Sequence, residues 1–230
     1  MATTIFTPSM LRGAGTRGIP EIPAGSSFSN PYSLNFDGID DVVTLDTKFS
    51  FASEYSLSIW VNPTVLNNNQ VILGNGSSSQ NWIRLSSASV ITWKIGSSTA
   101  TISDVGNNLV VDNWQHLLFF RNSSNNIGVF RNGAAFGSIT ITGQTQELIT
   151  IGKRGNIEYS GLIDEVAFFS SDQSSNISTI YNGGVPGDLT SLSPSGWWRF
   201  NEGSGTTATD SAGSNNGTIS GVTYSTNVPT

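Results

Sequence analysis

Residues 55–59 read Tyr55-Ser56-Leu57-Ser58-Ile59, a strict alternation of apolar and polar side chains. Successive side chains of a β-strand point to opposite faces, so this period of two predicts a strand with one packed face and one partly solvated face. Trp60 follows on the polar side and interrupts the pattern. The stretch therefore indicates a sheet whose inner face packs on a core.

Similar runs recur from Tyr32 onward, as short β-branched and aromatic segments separated by clusters of Gly, Asn and Ser. This spacing is typical of an all-β sandwich. The predicted strands cover residues 33–36, 42–45, 55–61, 71–73, 82–85, 90–95, 115–121, 127–131, 138–142, 148–151 and 162–169.

Two local signals lie outside the strands themselves. Asn132 and Gly133 form an Asn-Gly pair between two strand-like runs, and both residues accept the positive φ of a type I′ hairpin turn. One short helix is predicted over residues 172–182, where Asp172 can cap the start and Gly183-Gly184 can end it.

Composition limits the classes of function. The 230-residue chain has no cysteine, which excludes disulfides and thiolate metal sites, and its single histidine, His116, excludes a histidine-rich zinc centre. A net charge of −6 with ten basic residues argues against a nucleic-acid partner. Charged residues make up 11% of the chain, so the surface consists largely of Ser, Thr, Asn and Gly, as in lectins and assembly proteins.

The chain shows no membrane or export signal. No stretch approaches the ~20 apolar residues of a membrane span, so membrane insertion is not expected. The N-terminus lacks the apolar region of a signal peptide. Residues 1–31 carry Pro8, Pro20, Pro23 and Pro31 without a strand or helix period, which predicts an extended N-terminal arm. The arm is either a disordered tail or a segment that docks on a neighbouring subunit.

Several segments, in the same order along residues 32–169, together resemble the laminin-G-like jelly-roll modules of the concanavalin-A-like lectin and glucanase superfamily. The resemblance implies a two-sheet antiparallel jelly-roll sandwich, often with a structural calcium ion and a glycan-binding or adhesive role. The segments that carry it are Tyr32-Ser33-Leu34-Asn35-Phe36-Asp37-Gly38-Ile39-Asp40-Asp41, Leu57-Ser58-Ile59-Trp60-Val61-Asn62-Pro63, Trp114-Gln115-His116, Val129-Phe130-Arg131-Asn132-Gly133 and Gly161-Leu162-Ile163-Asp164-Glu165-Val166.

The C-terminal segment is also similar to this family but stands in an unusual place. Residues 196–205, Gly-Trp-Trp-Arg-Phe-Asn-Glu-Gly-Ser-Gly, and the later Asp210 and Asn216-Gly217-Thr218 usually precede the Phe-Asp-Gly motif, whereas here they follow it. The segment either completes its own sandwich as a permuted edge or is donated to a neighbour. The predicted division is therefore an arm at 1–31, a laminin-G-like sandwich at 32–185 and a C-terminal segment at 186–230.

A second, looser resemblance concerns the connection before this segment. Tyr181-Asn182-Gly183-Gly184-Val185-Pro186, leading into Gly-Trp-Trp-Arg, looks like jelly-roll proteins encoded by marine bacteriophages. This resemblance implies a virion protein.

Candidate binding residues fall into two groups. Asp37, Asp40 and Asp41, joined by Asp164 from a paired strand, offer the hard oxygen ligands of a calcium site, although Asp37 and Asp40 would also suit the tight turn at Gly38. For glycan binding the candidates are the aromatic rings of Trp82, Trp93 and Tyr159, for which core packing is the alternative.

No catalytic residue is assigned. Asp164 and Glu165 are adjacent, and adjacent strand residues point to opposite faces, so the two acids are not expected to flank one glycosidic bond. His116 has no Gly-x-Ser-x-Gly elbow beside it and is interpreted as a structural strand residue.

The sequence thus predicts a non-catalytic virion structural protein, capsid-decorating or tail-associated, which displays a lectin-like jelly roll at the virion surface. Its expected partners are other virion subunits or copies of itself through the arm, together with cell-surface glycans. The alternative is a free-standing carbohydrate-binding lectin or adhesin module; a glycoside hydrolase is a distant third.

Overall fold

A computed structural model of the chain describes residues 28–67, 70–104 and 106–230. Its elements, in chain order, are β1 (Ser33–Asp37), β2 (Val42–Phe51), β3 (Tyr55–Pro63), β4 (Val71–Gly74), β5 (Trp82–Ser87), β6 (Val90–Ile95), β7 (Ser98–Ser103), β8 (Gln115–Arg121), β9 (Asn126–Arg131), β10 (Ala134–Thr140), β11 (Gln146–Ile151), β12 (Lys153–Arg154), β13 (Ile157–Glu158), β14 (Ser160–Phe169), α1 (Ile177–Tyr181), β15 (Gly196–Trp198), β16 (Thr207–Ala208), β17 (Gly217–Ser220) and β18 (Thr223–Ser225). Short 3₁₀ turns flank α1 and precede β15.

These strands form two eight-stranded antiparallel sheets, which confirms the predicted all-β sandwich. Sheet I has the order β10-β9-β8-β3-β14-β1-β18, and β15 also pairs with β14. Sheet II has the order β16-β17-β2-β11-β4-β5-β6-β7, and β12 and β13 form a separate two-stranded ribbon.

The two sheets enclose one large apolar core. Leu57 and Ile59 of β3 pack in it with Trp93 of sheet II, and all three side chains are fully buried. Burying one such side chain stabilises a fold by about 1.5–3 kcal/mol, so this cluster is the main source of stability. The inward positions of β3 are the apolar residues of the Tyr55–Ile59 alternation, as the sequence predicted.

The outer face of β3 differs from the prediction. All nine β3 residues are buried, because the segment between β14 and β15 crosses the outside of sheet I and forms a second apolar cluster there. The polar residues of the alternation have hydrogen-bond partners, Ser56 in this cover and Ser58 on the neighbouring strand β8. Ser56 Oγ accepts a hydrogen bond from the backbone N–H of Gln173 at 2.8 Å, and Ser58 Oγ bonds the Nε2 atom of His116 at 2.8 Å.

The helix prediction was correct in place but too long. A 3₁₀ turn over Ser174–Asn176 leads into the five-residue α1, and Asp172 Oδ1 accepts a hydrogen bond from Ser174 N at 2.8 Å before the helix begins. The helix ends at Asn182, whose φ of 47° lies in the left-handed region. Asparagine tolerates this conformation, so α1 stops one residue before the glycines.

The Asn132-Gly133 hairpin is confirmed. Both residues have positive φ, 49° and 79°, and the flanking Arg131 and Ala134 are directly paired across β9 and β10. A two-residue turn of this kind matches the right-handed twist of the strands that it joins.

Strands from the C-terminal segment extend both sheets. β15 pairs with β14, β17 pairs with β2, and β18 pairs with β1, so residues 196–225 add to the sandwich of their own chain. The boundaries of the three predicted regions stay a prediction.

The predicted arm, residues 1–31, lies outside the described residues except for residues 28–31. Among the helices that the structure describes, none has the length and apolar character to cross a membrane.

Candidate functional site

A cavity of about 560 Å³ opens over the outer face of sheet I, where β3 ends and β8 begins. We call it the aromatic cavity. Its walls include Trp60 and Asn62 of β3, Asp112 and Trp114 before β8, Tyr181 at the end of α1, and Asn227 after β18. With Asn132 of the turn between β9 and β10, five separate parts of the chain meet at this site.

Three aromatic rings shape the aromatic cavity. Trp60 is 4% exposed and stacks on Tyr181, with ring centroids 6.0 Å apart and planes 23° from parallel. Trp114 is half-buried, and its indole Nε1 donates a hydrogen bond to Asn227 Oδ1 at 2.9 Å. Trp114 and Tyr181 thus provide the accessible aromatic surface, with Trp60 beneath Tyr181.

Polar groups surround these rings. Asn62, Asn113, Asn132 and Asp112 contribute amide or carboxylate groups to the lining. Asp112 is held above the end of β3 because its backbone N–H donates to the carbonyl oxygen of Pro63 at 2.8 Å. Aromatic faces with a few fixed amide and carboxylate groups suit a ligand rich in hydroxyl groups.

His116 lies next to the rings but is shielded from solvent. Its ring centroid is 5.1 Å from that of Trp60 and 6.1 Å from that of Tyr181, and Nε2 bonds Ser58 Oγ. Complete burial lowers the pKa of His116 to about 3, so the imidazole is neutral at physiological pH. Within the described part of the chain, Nδ1 has no hydrogen-bond partner. This environment fits a structural role.

The glycan-binding prediction for Trp93 and Tyr159 was wrong, because both side chains are fully buried. Trp93 Nε1 donates to Gln146 Oε1 at 2.7 Å, and its ring packs edge-on against Phe119. Tyr159 packs against Phe36 in the core, and its hydroxyl donates to the carbonyl oxygen of Leu162. The prediction for both residues rested on their aromatic rings, and such rings are found in protein cores as well as in ligand contacts.

Trp82 also differs from its predicted role. It is 7% exposed, and its indole Nε1 donates to the carbonyl oxygen of Ser79 at 3.0 Å. The guanidinium groups of Arg84 and Arg154 lie over the ring, 4.8 and 5.5 Å from its centroid. The indole ring of Trp82 therefore makes cation–π contacts with arginine side chains of the same protein, and these occupy the ring surface on which a sugar would stack.

The predicted acidic cluster is partly assembled. Oxygens of Asp37, Asp40 and Asp41 lie within 4.8 Å of one another, with Asp41 buried and the other two exposed. Asp37 Oδ1 accepts a hydrogen bond from Ile39 N at 2.8 Å, and Asp41 Oδ2 accepts one from Asp37 N at 2.6 Å. These bonds hold the turn at Gly38, whose φ is +81°. Burial, followed by the charges of Asp37 and Asp40, raises the pKa of Asp41.

Asp164 does not belong to this cluster, which corrects its predicted role as a metal ligand. Asp37 pairs with Ser160 on β14, four residues before Asp164, and four strand residues span about 13 Å. Asp164 instead accepts a hydrogen bond from Asn30 Nδ2 at 2.8 Å.

The model of a laminin-G-type family, described as the Concanavalin A-like lectin/glucanases superfamily, matches residues 37–177, more than half of the chain. The chain belongs to this superfamily. A comparison with the sequences of curated proteins found no match.

Solved structures support the same fold for this superfamily member. A Bacteroides ovatus protein, for which carbohydrate binding has been suggested, aligns over 86% of this chain with a TM-score of 0.67 and 17% identity. The chain spans 61% of the length of that protein. A heptameric SAP-like pentraxin from Limulus polyphemus aligns over 66% of this chain and 82% of its own, with a TM-score of 0.54 and 14% identity.

Asp164 and Glu165 lie on the same side of the sheet in this superfamily member, contrary to the sequence-based expectation. The register of β14 against β3 shifts between Asp164 and Ala167, and Glu165 has a φ of 47°. This β-bulge inserts one extra residue into the strand. Ile163 and Val166 therefore both face the core while the two acids between them face outward.

The two acids bond to residues from the N-terminal and C-terminal parts of the described chain and do not line a cleft. Glu165 is 2% exposed, accepts a hydrogen bond from Trp197 Nε1 at 2.7 Å and forms an ion pair with Arg199 at 3.2 Å. Burial raises the pKa of Glu165 to about 7, against the opposing effect of Arg199. Burial and the charge of Glu165 raise the pKa of Asp164 well above its usual range. Fully enclosed carboxyl groups have no room for a sugar between them, so this pair lacks the geometry of a glycosidase.

The binding role of the aromatic cavity is not predicted from the sequence. Trp114 and Tyr181 belong to segments that resemble known families, and Asp112 lies in a loop with no assigned role. One signal was available: both rings adjoin asparagines at the ends of predicted elements, where side chains tend to be exposed.

Proposed function

We propose that this protein is a non-catalytic carbohydrate-binding module of the concanavalin A-like superfamily, and that the aromatic cavity is its glycan site. The observation that carries the proposal is the accessible pair of rings, Trp114 and Tyr181, surrounded by amide groups and Asp112. A sugar ring has an apolar face that packs on an indole and hydroxyl groups that bond to amides. The fold shared with the Bacteroides ovatus protein is consistent with this assignment.

Trp114→Ala is expected to lower the affinity for a bound glycan at least tenfold, equivalent to about 1.4 kcal/mol. The substitution removes a stacking surface at the mouth of the cavity while leaving the main core intact. The measurement is titration calorimetry with a glycan selected on an array, together with the melting temperature of each variant.

Two further variants make this test specific. Trp114→Phe keeps an aromatic face and should retain part of the affinity, whereas Val111→Ala changes an exposed side chain of the same loop and should bind like the parent protein. Equal affinity in Trp114→Ala and the parent protein would count against the aromatic cavity as the glycan site.

A calcium ion at Asp37, Asp40 and Asp41 is part of this proposal. Three carboxylates within 4.8 Å offer hard oxygen ligands of the kind that calcium prefers, and backbone hydrogen bonds already orient two of them. A bound ion there would fix the turn between β1 and β2. This proposed calcium site lies on a different part of sheet I from the aromatic cavity, so we assign it no role in glycan binding.

Millimolar calcium is expected to raise the melting temperature of the protein, because an ion that binds only the folded state stabilises it by about 2.7 kcal/mol at a hundredfold excess over its dissociation constant. Asp41→Asn should abolish the shift, and Asp46→Asn, at an exposed acid outside the cluster, should preserve it. If a calorimetric titration with millimolar calcium shows no heat of binding, the proposed calcium site is refuted.

We further propose that the module is displayed on a virion, as a capsid-decorating or tail-associated subunit. Support comes from the resemblance of residues 181–186 and the following Gly-Trp-Trp-Arg to phage jelly-roll proteins. Residues 28–31, at the end of the predicted arm, adjoin sheet I through the Asn30–Asp164 hydrogen bond. Antibody labelling of purified particles tests the display: particles without label would leave the free-standing lectin as the better description.

A further inference from the structure

A second cavity adjoins the aromatic cavity on the same face of sheet I. It has a volume of about 260 Å³, and its lining includes Asn35, Leu162 and Ser225. We call it the strand cavity. Asn62, Asp112 and Asn227 line both cavities, so the two spaces meet along these three side chains and form one continuous depression.

The floor of the strand cavity is a straight row of three side chains on neighbouring strands. Asn62 of β3 is paired with Leu162 of β14, and Leu162 with Asn35 of β1. Neighbouring strands are about 4.8 Å apart, so the row extends about 10 Å from Asn62, which lines both cavities.

The row faces outward because its sequence neighbours face the core. Leu34 and Phe36 on either side of Asn35, and Ile163 beside Leu162, belong to the main core. The α1 segment covers the other half of this face, where Leu118, Ala167 and Phe169 are buried beneath it. The open half is therefore a groove that begins at Trp60 and runs across the strands.

The charge of the groove limits the class of ligand. Among the described residues that line the two cavities, Asp112 has the one acidic side chain, and lysine and arginine are absent. The other polar groups are amides and hydroxyls, for example those of Asn62, Asn35 and Ser225. A sialic acid or sulfated sugar in this groove would place its anionic group near the carboxylate of Asp112. Because no lysine or arginine lines the two cavities, the repulsion between these like charges would not be compensated.

We infer that the two cavities are neighbouring subsites of one groove, and that this groove binds an uncharged oligosaccharide of at least two sugar residues. The inference rests on the proposed function, because it takes the aromatic cavity as the first subsite. In this arrangement one sugar stacks in the aromatic cavity, and the next lies over Leu162 and Asn35.

The test compares chain length in the parent protein and in a variant with a filled second subsite. Asn35→Trp places a large ring in the strand cavity at an exposed strand position, where an aromatic residue suits the backbone. Thr101→Trp makes a comparable change at an exposed position of β7, at the far edge of sheet II, and is the matched control. The probes are glucose, galactose and N-acetylglucosamine with their di- and trisaccharides, and lactose beside sialyl-lactose, measured by titration calorimetry.

For the sugar that binds, the parent protein and Thr101→Trp are expected to gain at least tenfold in affinity from the monosaccharide to the trisaccharide. Asn35→Trp should keep the monosaccharide affinity and lose this gain, and sialyl-lactose should bind at least tenfold more weakly than lactose. If monosaccharides bind and chain length changes nothing, or if Asn35→Trp keeps the gain, the second subsite is refuted while the proposed function stands. If none of the probes binds, the proposed function fails and the subsite assignment fails with it.

Discussion

A protein that lacks residues 186–230 is expected to lose its cooperative thermal unfolding transition. The deletion removes β15, β17 and β18, which pair with β14, β2 and β1, and it takes Trp198 and Phe200 out of the main core. Truncating one buried Trp or Phe to alanine costs about 3–5 kcal/mol. Two such losses are comparable with the free energy of unfolding of a typical domain, which is about 5–15 kcal/mol. The lost strand pairing adds to them.

A circular permutant provides the control for this deletion. Ser33 of β1 and Ser225 of β18 are directly opposite each other, and paired residues in antiparallel strands have Cα atoms about 4.5–5.5 Å apart. A short linker can therefore join the C-terminal end of the chain to residue 28, with new termini at residues 185 and 186.

The permutant should fold with a transition close to that of the parent protein, because it restores every strand of both sheets in the chain order that is usual for the family. Differential scanning calorimetry and circular dichroism measure both proteins. A truncated protein with an unchanged melting temperature would mean that residues 186–230 are dispensable for the sandwich.

Acid is expected to destabilise the protein through His116. Burial holds the pKa of this histidine at about 3 in the folded state, against about 6.5 in an unfolded chain. The unfolded state therefore takes up a proton below pH 6.5 that the folded state refuses until about pH 3. The contribution of His116 to the free energy of unfolding is therefore most favourable above pH 6.5. As the pH falls below 6.5, this free energy decreases by up to about 1.4 kcal/mol per pH unit and by about 5 kcal/mol in total.

The variant that isolates this effect replaces both members of the buried hydrogen bond. Ser58→Ala with His116→Phe keeps an aromatic ring beside Trp60 and Tyr181 and leaves no unpaired hydroxyl behind. Urea unfolding from pH 7.5 to pH 4 should show a smaller loss of stability in the double variant than in the parent protein. Ser58→Ala alone retains the histidine and should keep the full acid dependence.

Glu165, Asp164 and Asp41 contribute an opposite pH dependence that is common to all three proteins, because folding raises the pKa of each. The pKa of Glu165 is raised from 4.5 to about 7 on folding, so its contribution is most favourable below pH 4.5 and is lost as the pH rises to 7. This effect cancels when the parent protein and the variants are compared at one pH. Identical pH profiles in the parent protein and the double variant would show that His116 is not the group responsible.

The architecture was largely accessible from local sequence. The alternation at residues 55–59 predicted an inward apolar face, and Asn132-Gly133 predicted the turn that joins β9 and β10. Both signals are local, because side-chain direction in a strand and positive φ in a turn depend on a few consecutive residues. Strands without a strong local pattern, such as β7 with its run of Ser and Thr and the short β15–β18, were missed for the same reason.

The acid pair shows where local reasoning fails. Strict alternation places Asp164 and Glu165 on opposite faces, but the bulge in β14 brings both to the outside. The bulge lies where the neighbour of β14 changes from β1 to β15. Both neighbours are remote in the chain, so no short segment around residue 164 contains the information that requires the extra residue.

The same limit applies to the binding site. Local sequence was sufficient for the strand periods, the hairpin turn and the Asp37–Asp41 cluster, since each depends on residues close together in the chain. The superfamily was accessible from short segments in a fixed order along the chain. Local sequence was not sufficient to distinguish Trp93, a core residue, from Trp114, which is accessible in the aromatic cavity. The exposure of a tryptophan depends on which distant segments pack over it, and that is a property of the assembled sandwich.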